Sequence, residues 1–83
     1  NPATTIEFDI DAEVGEFVQV ELGIYDVLGQ RLTQLVSRPL HAGHHRVSWN
    51  GRDSKGERVS SGVYFAQLRA GSNVQTRPML LLK

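Results

Sequence analysis

Thr5-Ile6-Glu7-Phe8-Asp9-Ile10 alternates without a fault. Successive side chains of an extended chain point to opposite sides. Ile6, Phe8 and Ile10 therefore share one face, and Glu7 and Asp9 share the other. This is the pattern of a half-buried strand. Working outward, residues 11–15 are acidic, end in Gly15 and read as a turn. Val18, Val20, Leu22 and Ile24 then recur at every second position, with Gln19 and Glu21 between them. They predict a second strand running to Tyr25. Gly23 lies inside it with no side chain to pack, which marks a bulge or the close approach of another backbone.

The same period continues downstream. Asp26-Val27-Leu28-Gly29 is a tight connection. Residues 31–36 restart a strand through Leu32, and residues 37–43 read as a loop around Pro39 and Gly43. Residues 46–49 form a strand with Val47 and Trp49 facing one way. Residues 50–56 (Asn-Gly-Arg-Asp-Ser-Lys-Gly) are dense in turn formers. Val59 is read as part of a short strand broken by Ser60-Ser61-Gly62. Residues 63–70 make a strong strand with Tyr64, Ala66 and Leu68 on one face. Gly71-Ser72-Asn73 turns into a last strand over residues 74–82. Pro78 has no N–H to give to a ladder, so this strand belongs at an edge or is kinked. No segment carries an apolar stripe at i, i+3, i+4. Short strands separated by glycine-rich turns predict an all-β, immunoglobulin-like antiparallel β-sandwich of about seven strands. A small barrel is the alternative.

With 83 residues the chain is read as a single domain, 1–83. Lys plus Arg is 9 and Asp plus Glu is 9, a balance that argues against a nucleic-acid face or a polybasic membrane patch. No cysteine is present, so no disulfide supports the small core. No apolar run exceeds four residues (63–66 and 79–82), too short for a membrane span. The opening Asn1-Pro2 is read as a piece cut from a longer protein.

Chemistry finds few footholds. Trp49, Tyr64 and Tyr25 could form an aromatic platform for sugars, but Trp49 is in phase with Val47 and Tyr64 with Leu68, which favours core. His41, His44 and His45 raise the question of a metal. Adjacent His44 and His45 would point to opposite faces of a strand, so convergence is disfavoured. Asp53, Ser54, Gly56 and Glu57 resemble a calcium loop only faintly, and a turn held by the Asp53 side chain accounts for them. Asp26 before Gly29 reads the same way. No cysteine nucleophile, G-x-S-x-G elbow or paired carboxylate is apparent. No catalytic residue, cofactor or metal site is expected. The last strand is the feature of interest, because an edge strand leaves backbone groups that a partner can pair.

Several segments, in order, match one family. Asn1-Pro2-Ala3-Thr4-Thr5-Ile6-Glu7-Phe8 resembles an opening NP…(S/T)TTIxF. Ile24-Tyr25-Asp26-Val27-Leu28-Gly29-Gln30, continued by Leu32 and Leu35, is similar to (V/I)YDxxGxx(V/I)xxL. Residues 42–53, AGHHRVSWNGRD, resemble aGxhxvxWdGrd. Gly56 followed by Ser61-Gly62-Val63-Tyr64-Phe65 resembles a Gxx(v)xSGvYf segment, and residues 76–83, TRPMLLLK, a terminal trkmvllk. The family is the type A C-terminal sorting domain of the type IX (Por) secretion system, related to the Ig-like domain of the flagellar hook-capping protein. Two positions depart from its pattern, Pro78 and Gly23.

The resemblance implies a non-catalytic trailing module of a larger secreted protein of the Bacteroidetes or their relatives, preceded by a cargo domain such as a glycoside hydrolase or protease. It implies partners in the outer-membrane secretion machinery and a surface sortase that couples cargo to a lipopolysaccharide. Location would be secreted or at the cell surface, and the domain a monomer without a membrane span. The residues expected to be recognised are Gly62, Val63, Tyr64, Met79, Leu80, Leu81, Leu82 and Lys83. The competing expectations are a carbohydrate- or cell-wall-binding module and a structural Ig-like spacer.

Overall fold

The computed structural model describes residues 4–82; Asn1, Pro2, Ala3 and Lys83, to which parts of the expectations above refer, lie outside them. Six strands follow in order: β1 Thr4–Ile10, β2 Phe17–Tyr25, β3 Arg31–His41, β4 Gly43–Trp49, β5 Gly62–Ala70 and β6 Asn73–Leu81. They form two sheets with antiparallel pairing throughout. One is the pair β1-β4, the other has the order β3-β2-β5-β6.

The two-residue period of the sequence makes the core. Ile6, Phe8 and Ile10 of β1 and Trp49 of β4 supply the buried side of the pair. Val20, Leu22 and Ile24 of β2, Val36 and Leu40 of β3, Tyr64, Ala66 and Leu68 of β5 and Leu81 of β6 supply the other. Full burial of each Val, Leu or Ile contributes roughly 1.5–3 kcal/mol. Among the described residues no polar or charged residue is buried.

The sheets are joined along their margins by polar reach. The Arg77 Nη2 donates to the Glu7 carbonyl at 2.7 Å, tying β6 to β1. The Ser54 amide donates to the Leu32 carbonyl at 2.9 Å, tying the connection between β4 and β5 to β3.

Three sequence expectations are corrected. β4 begins at Gly43 rather than at residue 46, so Gly43 lies in a strand and not in a loop. Residues 37–41 are not a loop but the second half of β3, and Pro39 sits opposite Gln19 within it. An edge strand needs its N–H groups on one side only, so proline is tolerated there. The strand expected at Val59 is not formed, leaving six strands rather than seven. Only an isolated bridge, Arg52 to Arg58, spans that connection. The turn at Asp53 closes the segment first, and the Val59 amide bonds back to the Gly51 carbonyl at 3.0 Å. Pro78 on β6 is at an edge, as its chemistry requires. Both edges of the larger sheet, β3 and β6, thus carry a proline within the strand.

Candidate functional site

The two stretches singled out in the sequence, Gly62–Tyr64 and residues 79–82, are neighbours. β5 and β6 pair with Gly62 opposite Leu81, Val63 opposite Leu80 and Tyr64 opposite Met79. The turn at Gly71 sets this register, because Ala70 faces Asn73 across it and each later pair follows.

Alternation then divides the set. Tyr64 and Leu81 are buried and Met79 is half-buried against the core. Tyr64 donates its hydroxyl to the Ser60 carbonyl at 2.6 Å. Leu81 packs on Gly51, whose positive φ of 75° favours glycine and where a Cβ would stand 3.4 Å from a Leu81 methyl. These side chains face the core. Val63, Leu80 and Leu82 remain 45%, 60% and 61% exposed. Val63 faces Leu80, and the next pair on that face is Phe65 with Pro78. The result is an uncharged, apolar strip on the outside of the larger sheet beside β6.

The remaining candidates resolve by geometry. Trp49 is 1% exposed. Its indole N–H donates to the Arg52 carbonyl at 3.0 Å, and its ring meets Tyr64 edge-on at 5.3 Å. It is a core residue, not a platform. Tyr25 alone of the three aromatics sits half-buried on the outer face.

His44 and His45 do take opposite sides of β4. His45 stacks on Phe8 at 5.6 Å. Its Nε2 donates to the His41 carbonyl at 2.9 Å. His44 lies outward between two carboxylates that are two residues apart on β1, with Nδ1 2.9 Å from Asp9 and Nε2 2.8 Å from Glu7. A neutral imidazole has only one N–H, so both bonds require the protonated ring. The bonds to Asp9 and then Glu7 hold the His44 pKa above its ordinary value. Among the described residues no group of three or more His, Asp or Glu side chains is placed to hold a metal ion.

Asp26 and Asp53 build the same turn twice. Each Oδ1 accepts the amides two and four residues on: Leu28 and Gln30 for Asp26, Lys55 and Glu57 for Asp53, all at 2.9–3.0 Å. Each backbone amide bonds the carbonyl four residues on, and a glycine at positive φ, Gly29 or Gly56, closes the loop. The Asp53 Oδ1 thus holds the turn through the backbone.

The sequence reading missed the His44 clamp, whose signal was two acids at i and i+2 on the outer face of β1. It also missed that Tyr25 folds back over Gly23.

Two antiparallel sheets enclose a tryptophan, and a tyrosine near the start of a strand ties its hydroxyl to the backbone just upstream. Both are features of Ig-like sandwiches. The family model described as the FlgD Ig-like domain matches residues 2–73. The chain belongs to the FlgD Ig-like domain family. No curated protein and no solved structure matches it. In this FlgD Ig-like domain the matched span ends at Asn73, where β6 begins. The apolar strip is built from β5 within that span and from β6 beyond it.

Proposed function

We propose that this Ig-like domain is the non-catalytic trailing module of a larger secreted bacterial protein. It would direct that protein through type IX secretion and serve its attachment at the cell surface. The observation that carries the reading is the pairing of Gly62–Tyr64 with residues 79–81, which with Leu82 just beyond leaves Val63, Leu80 and Leu82 exposed. The ordered motif resemblance to type IX sorting domains supports it independently.

Recognition of the strip is by side chains more than by edge pairing. Pro78 removes a donor from the middle of β6, and the Arg77 guanidinium is engaged with β1. A partner that adds a strand along β6 would meet a gap in its donors at Pro78. The outer-membrane translocation machinery and a sortase are the partners this reading assigns.

The test is a reporter protein fused to residues 1–83 in a type IX-competent bacterium. Surface display is expected, falling at least about tenfold with Leu80→Ser plus Leu82→Ser, a pair of exposed changes expected to cost little stability. Equal display of wild type and double variant, with the fusion equally abundant, would refute the assignment.

A further inference from the structure

Tyr25 and Gly23 lie on the same outer face, two residues apart on β2. Two residues of strand span about 6.6 Å. Yet a Cβ built on Gly23 would stand 3.1 Å from Tyr25 Cε1 and 3.4 Å from its hydroxyl oxygen. The ring is therefore laid back along the strand over Gly23 instead of standing off the sheet. Arg31 Cδ comes within 3.5 Å of the same point.

A cleft of about 250 Å³ opens at this ring. Gln34 and Gln67 flank it, each directly opposite Gly23 on a neighbouring strand. Glu21 and Arg69, opposite each other on β2 and β5, complete the wall. Arg31 donates to the Gln34 Oε1 at 3.4 Å, and Gln67 to Thr76 at 3.4 Å. Glu21, Arg69 and the Tyr25 hydroxyl have no hydrogen-bond or ion-pair partner among the described residues.

We propose that this cleft is a saccharide-binding subsite, with Tyr25 as the stacking surface and Glu21, Arg31, Gln34, Gln67 and Arg69 as its hydroxyl-reading rim. A pyranose has an apolar face of C–H groups and a perimeter of hydroxyls that both donate and accept. The site offers the matching halves: an aromatic ring lying along the sheet, and around it planar amide, guanidinium and carboxylate groups able to bond two neighbouring hydroxyls. Its size falls just below the usual range of small-molecule sites and suits a single sugar ring. Two guanidinium groups against one carboxylate suit a neutral or acidic sugar and oppose a cationic one. An apolar peptide would leave the Glu21 and Arg69 heads desolvated without partners, which is costly. A nucleic acid would meet the Glu21 carboxylate in the cleft wall, on a chain of net charge +0.

None of the rim residues belongs to the strip of Val63, Leu80 and Leu82, so the subsite stands or falls apart from the sorting assignment. The experiment is a backbone- and side-chain-resolved NMR titration of the 83-residue chain with cellohexaose, xylohexaose and oligogalacturonate. Saturable shifts at Tyr25, Gln67 and Arg69 are expected with at least one of them, at a Kd on the order of 0.1–1 mM. The oligogalacturonate arm separates an acidic from a neutral preference. Tyr25→Ala and Arg69→Ala are each expected to weaken binding about tenfold or more, and Tyr25→Trp to retain it. Arg69→Ala keeps the test open if loss of the ring over Gly23 unfolds the chain. No saturable shift at these residues with any of the three at about 10 mM, or unchanged binding by both alanine variants, would overturn the proposal.

Discussion

The Tyr64 hydroxyl donates to the Ser60 carbonyl at 2.6 Å, four residues back along the chain. The bond pins the start of β5 to the end of the connection that crosses between sheets. Tyr64→Phe keeps the ring against Trp49 and removes only this bond. Ser60 itself is exposed, so water can take over its carbonyl. The expected loss is about 1 kcal/mol in urea unfolding, with an unchanged m-value. Tyr64→Ala also empties its place in the core and should lose about 3–5 kcal/mol. For a chain of this size that is a large part of the total stability.

His44 makes stability depend on pH. Its folded pKa is raised above the 6.5 of a free histidine. The protonated ring is therefore favoured in the folded state, and its contribution is fully present below the unfolded value. That contribution is lost as pH rises from 6.5 through the raised folded pKa. Glu7 and Asp9 on β1 face the ring, with Arg46 beside Glu7 at 3.9 Å. Urea midpoints measured from about pH 6 to pH 9 should fall across that window. His44→Gln should flatten the fall, and a slope unchanged by the substitution would assign it elsewhere. The ring is exposed to solvent, so the effect should shrink with added salt.

Asp26 and Asp53 each satisfy two backbone amides with one carboxylate oxygen. Replacing either by alanine leaves those amides to water and frees the turn. A loss of about 1–2 kcal/mol is expected at each position by chemical denaturation. Asparagine keeps an acceptor oxygen at the same place and should restore most of it. Calcium should leave the wild-type midpoint unchanged, since among the described residues no group of three or more His, Asp or Glu side chains is placed to hold a metal ion.

How far the sequence could be read follows from which strands are buried on one face only. β1, β2 and β5 alternate cleanly because one side meets the core and the other meets water. The second half of β3 did not read as a strand. Ser37, Arg38 and Pro39 are edge residues freed from packing, and turn-like chemistry survives there. Gly43-His44-His45 at the start of β4 was passed over for the same reason, since the strand begins as the chain crosses between sheets. Of the recognition strip, the exposed residues were named but not their division into inward and outward sets. That division depended on a register already implicit in the turn at Gly71. The His44 clamp joins positions 35 and 37 apart in sequence, a relationship that no local period carries.

The prolines in β3 and β6 are expected to keep the domain from pairing with copies of itself. Each removes a donor from a free edge of the four-stranded sheet, and exposed edges are templates for association. Pro39→Val plus Pro78→Val should give each free edge back its missing donor and raise the dimer and higher fractions in sedimentation velocity at a fixed concentration. An unchanged monomer fraction would mean that edge charges or twist, not the prolines, do the blocking.

Gly23 is the position where strand propensity and local packing disagree. A β-strand favours a side chain there, and valine would ordinarily improve the fit. Here the space is taken: a Cβ would come 3.1 Å from the Tyr25 ring and 3.5 Å from Arg31 Cδ. The backbone also shifts register against β3 at this point, between Leu22 and Gly23. The obstacles are the ends of flexible side chains, so the strand survives and the ring gives way. Gly23→Val should therefore leave the domain folded, with stability within about 1 kcal/mol of wild type, while lifting Tyr25 away from the sheet. The change is read as loss of the ring-current shifts that Tyr25 imposes on the Gly23 and Arg31 protons and as faster rotamer averaging of the ring. Retention of those shifts in a folded Gly23→Val protein would show that the ring is held by contacts other than the glycine beneath it.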